Sequence, residues 1–336
     1  MIEPKDDYPH AVPVEASMTW KENWVFPGFD ADQRIATLFH FSLRPGHGEG
    51  IFTAKLSGQG WKHRYVGRSS VPGDLTTFVP VANERLTFEV VEPGSRFAIA
   101  YRSDELDADV AYQGRWPAFD FADGPKPEGE SPLGPIGLSV FPFNHYEQGL
   151  AVTGSIRIKD GELAGSEIEF SGWGNRDHSW GWRDDFQFRH HHWVCASFDD
   201  VYIQGSVMLE NFFPEEKHGG FVSTSAGNSA TAHVDTSDAY WAAGRNERLG
   251  ALARDVQYRI TTVHGDEYTV VAHIGSDFGR HWLNARSADR SMAYEDCQIF
   301  CDYTLVETGQ RGAGVLEVGT HLEGPGIADT LGRPDS

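Results

Sequence analysis

The sequence predicts a mainly antiparallel β protein, and three observations carry that expectation. Short segments of alternating polarity, rich in aromatic and β-branched residues, recur along the 336 residues; glycine, proline or aspartate turns separate them; and windows with apolar residues at i, i+3, i+4 and i+7 are scarce. Strands joined by such short turns pair antiparallel, because a parallel connection needs a crossover of a dozen or more residues.

In chain order, residues 35–56 read as strand, turn, strand, with Pro45 to Gly50 supplying the turn. Residues 86–102 repeat the pattern around Pro93 and Gly94, and residues 152–174 do so around Asp160 and Gly161, with Ile156, Ile158, Ile168 and Phe170 on the apolar face. Two strands over residues 186–210 meet at Asp199 and Asp200, and residues 256–275 fold about His264 to Glu267. The best helical candidate, 245–256, contains Gly250. Proline, glycine and charge concentrate in 122–135, which marks the linker. The expected division is therefore an N-terminal β domain over 1–125, a linker over 126–137, and a C-terminal β domain over 138–336 that carries the candidate site.

With 40% hydrophobic residues the chain can build a core despite its 37 glycines. A formal net charge of -21 and the lack of a basic run argue against nucleic acid and anionic membranes as partners. The first residues have neither a basic region nor an apolar one, and no stretch approaches the ~20 apolar residues of a spanning helix. A cytoplasmic protein is expected. Cys195, Cys297 and Cys301 are too few and too oddly numbered for a disulfide scaffold.

The densest chemistry lies in GNRDHSWGWRDDF, residues 174–186. It joins Arg176, Asp177 and His178 among glycines and tryptophans. An aspartate beside a histidine fixes its tautomer and raises its basicity, an ingredient of general acid-base catalysis. The same residue types also suit a turn pinned by Arg176 with Asp177 or Asp184, with Trp180 and Trp182 closing a barrel end. By residue chemistry alone the turn is the first reading.

Farther along, the two-residue period of a strand puts His190, His192, Val194 and Ala196 on one face, and His191, Trp193 and Cys195 on the other. The partner strand sets Val201, Ile203 and Val207 against Tyr202, Gln204 and Ser206. His190 and His192 lack the converging companions a zinc site requires, so no metal is expected. His145 and Glu147 share a strand face and could line a cavity together. Phosphate-binding loops, dinucleotide fingerprints, serine-hydrolase elbows and HExxH are all absent, and no cofactor is expected.

The stretches 145–158, 172–186 and 312–322 together resemble the bacterial superfamily of carotenoid 1,2-hydratase and AttH-like proteins, with RDHSWG as its fairly specific element. The likeness is strongest over residues 144–210. It implies two consecutive lipocalin-like β domains and acid-base chemistry on a hydrophobic substrate, without a redox cofactor. In the hydratases a His-x-Trp pair joins a Tyr-x-Asp pair on a following strand. His178 and Trp180 match the first pair and Tyr202 the tyrosine, but the position of the aspartate holds Gln204. That departure leaves the acid unassigned, with Asp200 as a substitute.

The resulting expectation is a hydratase, dehydratase, double-bond isomerase or cyclase acting on an isoprenoid-, steroid- or polyketide-like molecule. His178, oriented by Asp177, and Tyr202 would do the chemistry; Trp180, Gln204, His145, Glu147, His192 and Trp193 would hold the substrate. The competing expectation is a non-catalytic carrier of a hydrophobic molecule, since fold alone does not fix function.

Overall fold

The computed structural model describes residues 2–16, 18–125, 130–131, 134–135, 143–183, 188–210, 216–237, 255–286, 289 and 291–324. Its strands are β1 (Trp20–Asp30), β2 (Ile35–Arg44), β3 (Glu49–Gly58), β4 (Trp61–Ser70), β5 (Val81–Ala82), β6 (Leu86–Glu92), β7 (Arg96–Arg102), β8 (Leu106–Gly114), β9 (Phe119–Asp120), β10 (Glu130–Ser131) and β11 (Gly134–Pro135). They continue with β12 (Asn144–Ile158), β13 (Glu167–Trp182), β14 (Phe188–Ser197), β15 (Tyr202–Glu210), β16 (Lys217–Thr224), β17 (Gly227–Thr236), β18 (Val256–Thr262), β19 (Glu267–Ala272), β20 (Gly279–Arg286), β21 (Met292–Leu305) and β22 (Gln310–Glu323). Among the described residues there is no α-helix, only short 3-10 turns, and none is long and apolar enough to cross a membrane. The helix candidate 245–256 lies almost wholly outside them.

The fold is two lipocalin-like β units, as the sequence predicts. In the first, a sheet of order β4-β3-β2-β1-β13-β12-β8-β7-β6-β5 curls into a half-barrel. Its inner face is aromatic: Phe26, Phe39, Phe41, Phe52, Phe88 and Phe97 are all buried in one cluster. Each large side chain taken out of water in this way contributes roughly 1.5–3 kcal/mol. Tyr65 of β4 approaches Tyr101 of β7 at 5.5 Å between ring centres, so the two limbs of the sheet close over that core.

In the second unit the order β19-β18-β17-β16-β15-β14-β22-β21 returns on itself through the β19–β21 pairing, giving a closed eight-stranded barrel with β20 outside the ring. Val194, Ala196, Ile203, Val207, Leu316 and Val318 fill its interior. This is the face that strict alternation assigns to them. All three cysteines are buried thiols, with no disulfide among the described residues.

The domain boundary differs from the sequence expectation. The compact units are 1–120 with 142–183, and 121–141 with 184–336. The hairpin β12–β13, expected in the C-terminal domain, completes the first sheet: β13 pairs with β1 from Trp20↔Trp182 to Phe29↔Trp173, and β12 pairs with β8. Hydrogen bonding between strands far apart in the chain decides this, and a proline-rich segment along the chain does not report it.

Candidate active site

Residues 174–182 of the stretch read as a turn are the second half of β13, and its residues 184–186, Asp184 among them, lie outside the described residues. Alternation along that strand sends Arg176, His178 and Trp180 to the aromatic inner face, and Asn175, Asp177 and Ser179 to the opposite one. Asp177 therefore does not orient His178, although it is its neighbour in sequence. Each belongs to a separate buried cluster.

On the inner face, His178 is fully buried between β1 and β12. Its Nε2 lies 3.0 Å from Glu22 Oε1 and its Nδ1 3.0 Å from the Tyr146 hydroxyl. Trp24 stacks on its ring at 4.4 Å. The N-terminal segment covers this face. His10 stacks on Trp180 at 3.8 Å and sets Nδ1 2.7 Å from Glu22 Oε1. Asp7 pairs with the Arg176 guanidinium, accepts from the Gly94 amide, and receives the Tyr146 hydroxyl at 2.6 Å. Burial opposes charge on Asp7, but Arg176 prevails and holds its carboxyl below the usual range. Burial also lowers the His178 pKa against the pull of Glu22.

On the opposite face, His145 and Glu147 lie side by side on β12, as the strand period predicts, and Asp177 on β13 joins them. His145 Nε2 is 2.9 Å from Asp177 Oδ2 and 3.3 Å from Glu147 Oε1. Burial works against a charged imidazole here, yet Asp177 and then Glu147 outweigh it and lift the His145 pKa to about 9. The imidazolium in turn holds Asp177 below its ordinary value despite burial. Asp177 keeps its second oxygen, Oδ1, without a hydrogen-bond partner, and the fully buried Asn175 uses neither its amide nitrogen nor its oxygen. Opposite Asn175 on β12 stands Gly149, which places no side chain there. Arg183 donates to Ser179 Oγ at 2.9 Å and stacks on Phe143 at one end of the cluster.

The remaining expected residues belong to the second unit. Tyr202 and Gln204 are buried on the face of β15 opposite Ile203 and Val207, outside the barrel rather than in its lumen. Gln204 donates to Ser206 Oγ at 2.7 Å, and its Oε1 has no partner. His192 points the other way, into the barrel, with Nδ1 2.6 Å from the Tyr258 hydroxyl; Trp193, adjacent in sequence, faces outward with Tyr202. Asp200 sits in the exposed turn before β15 and does not share the strand face of Tyr202. His178 and Trp180 thus belong to the first unit and Tyr202 and Gln204 to the second, so the four do not line the lumen of one barrel. Strand alternation had already set Tyr202 against Ile203, so the outward position was legible. Glu22, Tyr146, His10 and Asn175 were not singled out in the sequence, because their roles depend on pairing with β1 and on the path of the N-terminal segment.

The chain matches the domain of unknown function DUF7064 over residues 3–322. It belongs to that family. The likeness of this DUF7064 protein to solved structures extends along both units. An AttH-type protein from Nitrosomonas europaea is 16% identical, with 95% of this chain and 96% of that one covered and a TM-score of 0.63. Kievitone hydratase from Nectria haematococca is 13% identical, with 89% and 88% covered and a TM-score of 0.56. For CghA the identity is 12%, the coverage 91% and 89%, and the TM-score 0.60. At these identities the shared property is the fold, and it is the fold that the resemblance to carotenoid hydratase and AttH-like proteins implies. No curated protein matches the chain.

Proposed function

We propose that this DUF7064 protein is an acid-base enzyme of the hydro-lyase type acting on a hydrophobic small molecule, with its chemistry at His145, Asp177 and Glu147. One observation carries the reading: a buried imidazolium and two carboxylates converge beside polar groups, Asp177 Oδ1 and the Asn175 amide, that have no hydrogen-bond partner. A buried amide left in that state costs ~1–3 kcal/mol, which a ligand's hydroxyl or carbonyl recovers.

The chemistry follows from the charges. Asp177 Oδ1 takes a proton from a carbon next to the one bearing a hydroxyl, while the His145 imidazolium protonates that hydroxyl, which departs as water and leaves a double bond. Hydration is the same path in reverse. Afterwards Asp177 holds a proton and His145 has lost one, and the 2.9 Å contact between them lets the proton return, restoring both groups. Asn175 holds the oxygen or an adjacent carbonyl. The hydrophobic substrate class is supported by the fold shared with a named hydratase and by Phe143 and Trp173 flanking the polar cluster on the same sheet face.

The test is solvent-isotope incorporation. The purified chain is incubated with a panel of hydroxylated and unsaturated isoprenoids and polyketides in deuterium oxide, and the products are weighed by mass spectrometry. Deuterium at carbon, lost in Asp177→Asn with the melting temperature retained, is expected. A substrate that binds yet exchanges nothing, or exchange unchanged in Asp177→Asn, overturns the proposal; the former result makes the protein a carrier.

A further inference from the structure

The inner face holds a second constellation that the proposed chemistry does not use. His10 lies in the segment before β1, Glu22 on β1 and His178 on β13, and each offers one ligand atom within 4.8 Å of the others. Two imidazole nitrogens converge on a single carboxylate oxygen: Glu22 Oε1 is 2.7 Å from His10 Nδ1 and 3.0 Å from His178 Nε2. Ligand atoms bound to one zinc ion at about 2.0–2.2 Å lie about 3 Å apart, so little movement separates this arrangement from a coordination shell.

The distribution of hydrogens points the same way. The Tyr146 hydroxyl has one hydrogen and four polar neighbours: Asp7 Oδ1 at 2.6 Å, the Asp6 carbonyl at 3.0 Å, His178 Nδ1 at 3.0 Å and Arg176 Nη1 at 3.1 Å. Asp7, paired with Arg176, can only accept, as can the Asp6 carbonyl. The hydroxyl hydrogen therefore points to the N-terminal segment, and His178 Nδ1 must donate to the hydroxyl oxygen. That leaves the Nε2 lone pair of a neutral His178 facing a carboxylate oxygen, two acceptors 3.0 Å apart. Positive charge belongs between them, as a metal ion or as an extra proton.

We infer that His10, Glu22 and His178 bind one divalent transition ion of the zinc class, which fastens the N-terminal segment to the first sheet. The environment suits an ion better than a lone proton, because a second imidazole, His10, turns its ring nitrogen to the same oxygen. Both rings are clamped, by Trp180 on His10 and by Trp24 on His178. The second nitrogen of His178 is held by a hydrogen bond, as those of metal-bound histidines are. Imidazole with carboxylate selects zinc-like ions, whereas calcium and magnesium prefer oxygen alone. Two other groups have similar spacing, His145 with Glu147 and Asp177, and His191 with Asp296 and Glu317, but each offers a single imidazole where the inner-face group offers two.

The experiment uses the full chain, stripped with a chelator and checked for its β signal by circular dichroism. Zinc is titrated by calorimetry and cobalt(II) by visible absorption, in the wild type and in His10→Ala, Glu22→Gln and His145→Gln. The expected result is one ion per chain, a cobalt ligand-field band, and affinity weakened at least ~10–100-fold in His10→Ala and Glu22→Gln but kept in His145→Gln. His10 is on a partly exposed segment and Glu22→Gln conserves volume, so both variants should remain folded. No stoichiometric zinc and no cobalt band overturns the inference. Binding that survives both inner-face variants, or that is lost in His145→Gln instead, overturns it as well.

Discussion

His145 is a residue whose surroundings strongly alter its chemistry. Its carboxylate neighbours keep it protonated up to about 9, whereas an unfolded imidazole gives up its proton near 6.5. The raised pKa means that the folded state binds the proton more tightly. The resulting stabilisation is complete below pH ~6.5 and is lost as the pH rises through about 9. His145→Gln removes this dependence. Between pH 6.5 and 9, the wild-type melting temperature is expected to fall relative to that of His145→Gln, the difference being measured in parallel thermal melts. A constant difference across that range would mean that His145 is not protonated in the folded chain. Asp7, held by Arg176, illustrates the same balance for a negative charge. Both are buried, and the pair holds because removing either partner leaves the other charge uncompensated, at a cost of about 3–5 kcal/mol.

At the level of the element, β13 explains why a motif rich in glycine resembled a turn. Its glycines are sites of close approach. A Cβ on Gly174 would lie 2.4 Å from the Pro27 carbonyl oxygen and 2.7 Å from Val152 Cγ2, and one on Gly172 would lie 2.1 Å from the Phe29 carbonyl oxygen. Because backbone atoms cannot swing aside, Gly174→Ala must push β1 away from β13, the pairing that carries Glu22 to His178. Destabilisation by ~1–3 kcal/mol is expected in urea unfolding, although alanine is otherwise the better strand residue. An unchanged midpoint would show that β1 is not so tightly held. The same strand separates two chemistries by one residue: His178 faces the aromatic core, and Asp177 the cluster with His145.

For the whole molecule, the first unit depends on strands from beyond the proline-rich segment. β13 supplies the partner of β1 and β12 the partner of β8, so a fragment ending at 125 has two long unpaired strand edges. A fragment of residues 1–183 is expected to unfold cooperatively on heating, followed by circular dichroism, whereas 1–125 is expected to show no cooperative transition. Equal behaviour of the two would show that the β12–β13 hairpin is dispensable to the first sheet. The excess of acidic residues, 49 against 28 basic, acts at this scale too, favouring dispersion in water rather than any particular fold.

By itself the sequence determined the β class, the strand pairs around Asp160, Asp199 and His264, and the faces of β14 and β15, because alternation and turn chemistry are local. It also placed His145 beside Glu147 for the same reason. The tertiary structure alone decided that β12 and β13 belong with β1, that Asp177 serves His145 rather than His178, and that Glu22, His10 and Tyr146 surround His178. The contacts of Glu22 and His10 with this site join residues more than a hundred positions apart, such as Glu22 with His178, and only hydrogen bonding between distant strands brings them together. Those of Asp177 with His145 and of Tyr146 with His178 cross the β12–β13 hairpin, where the register of the pairing decides which side chains meet.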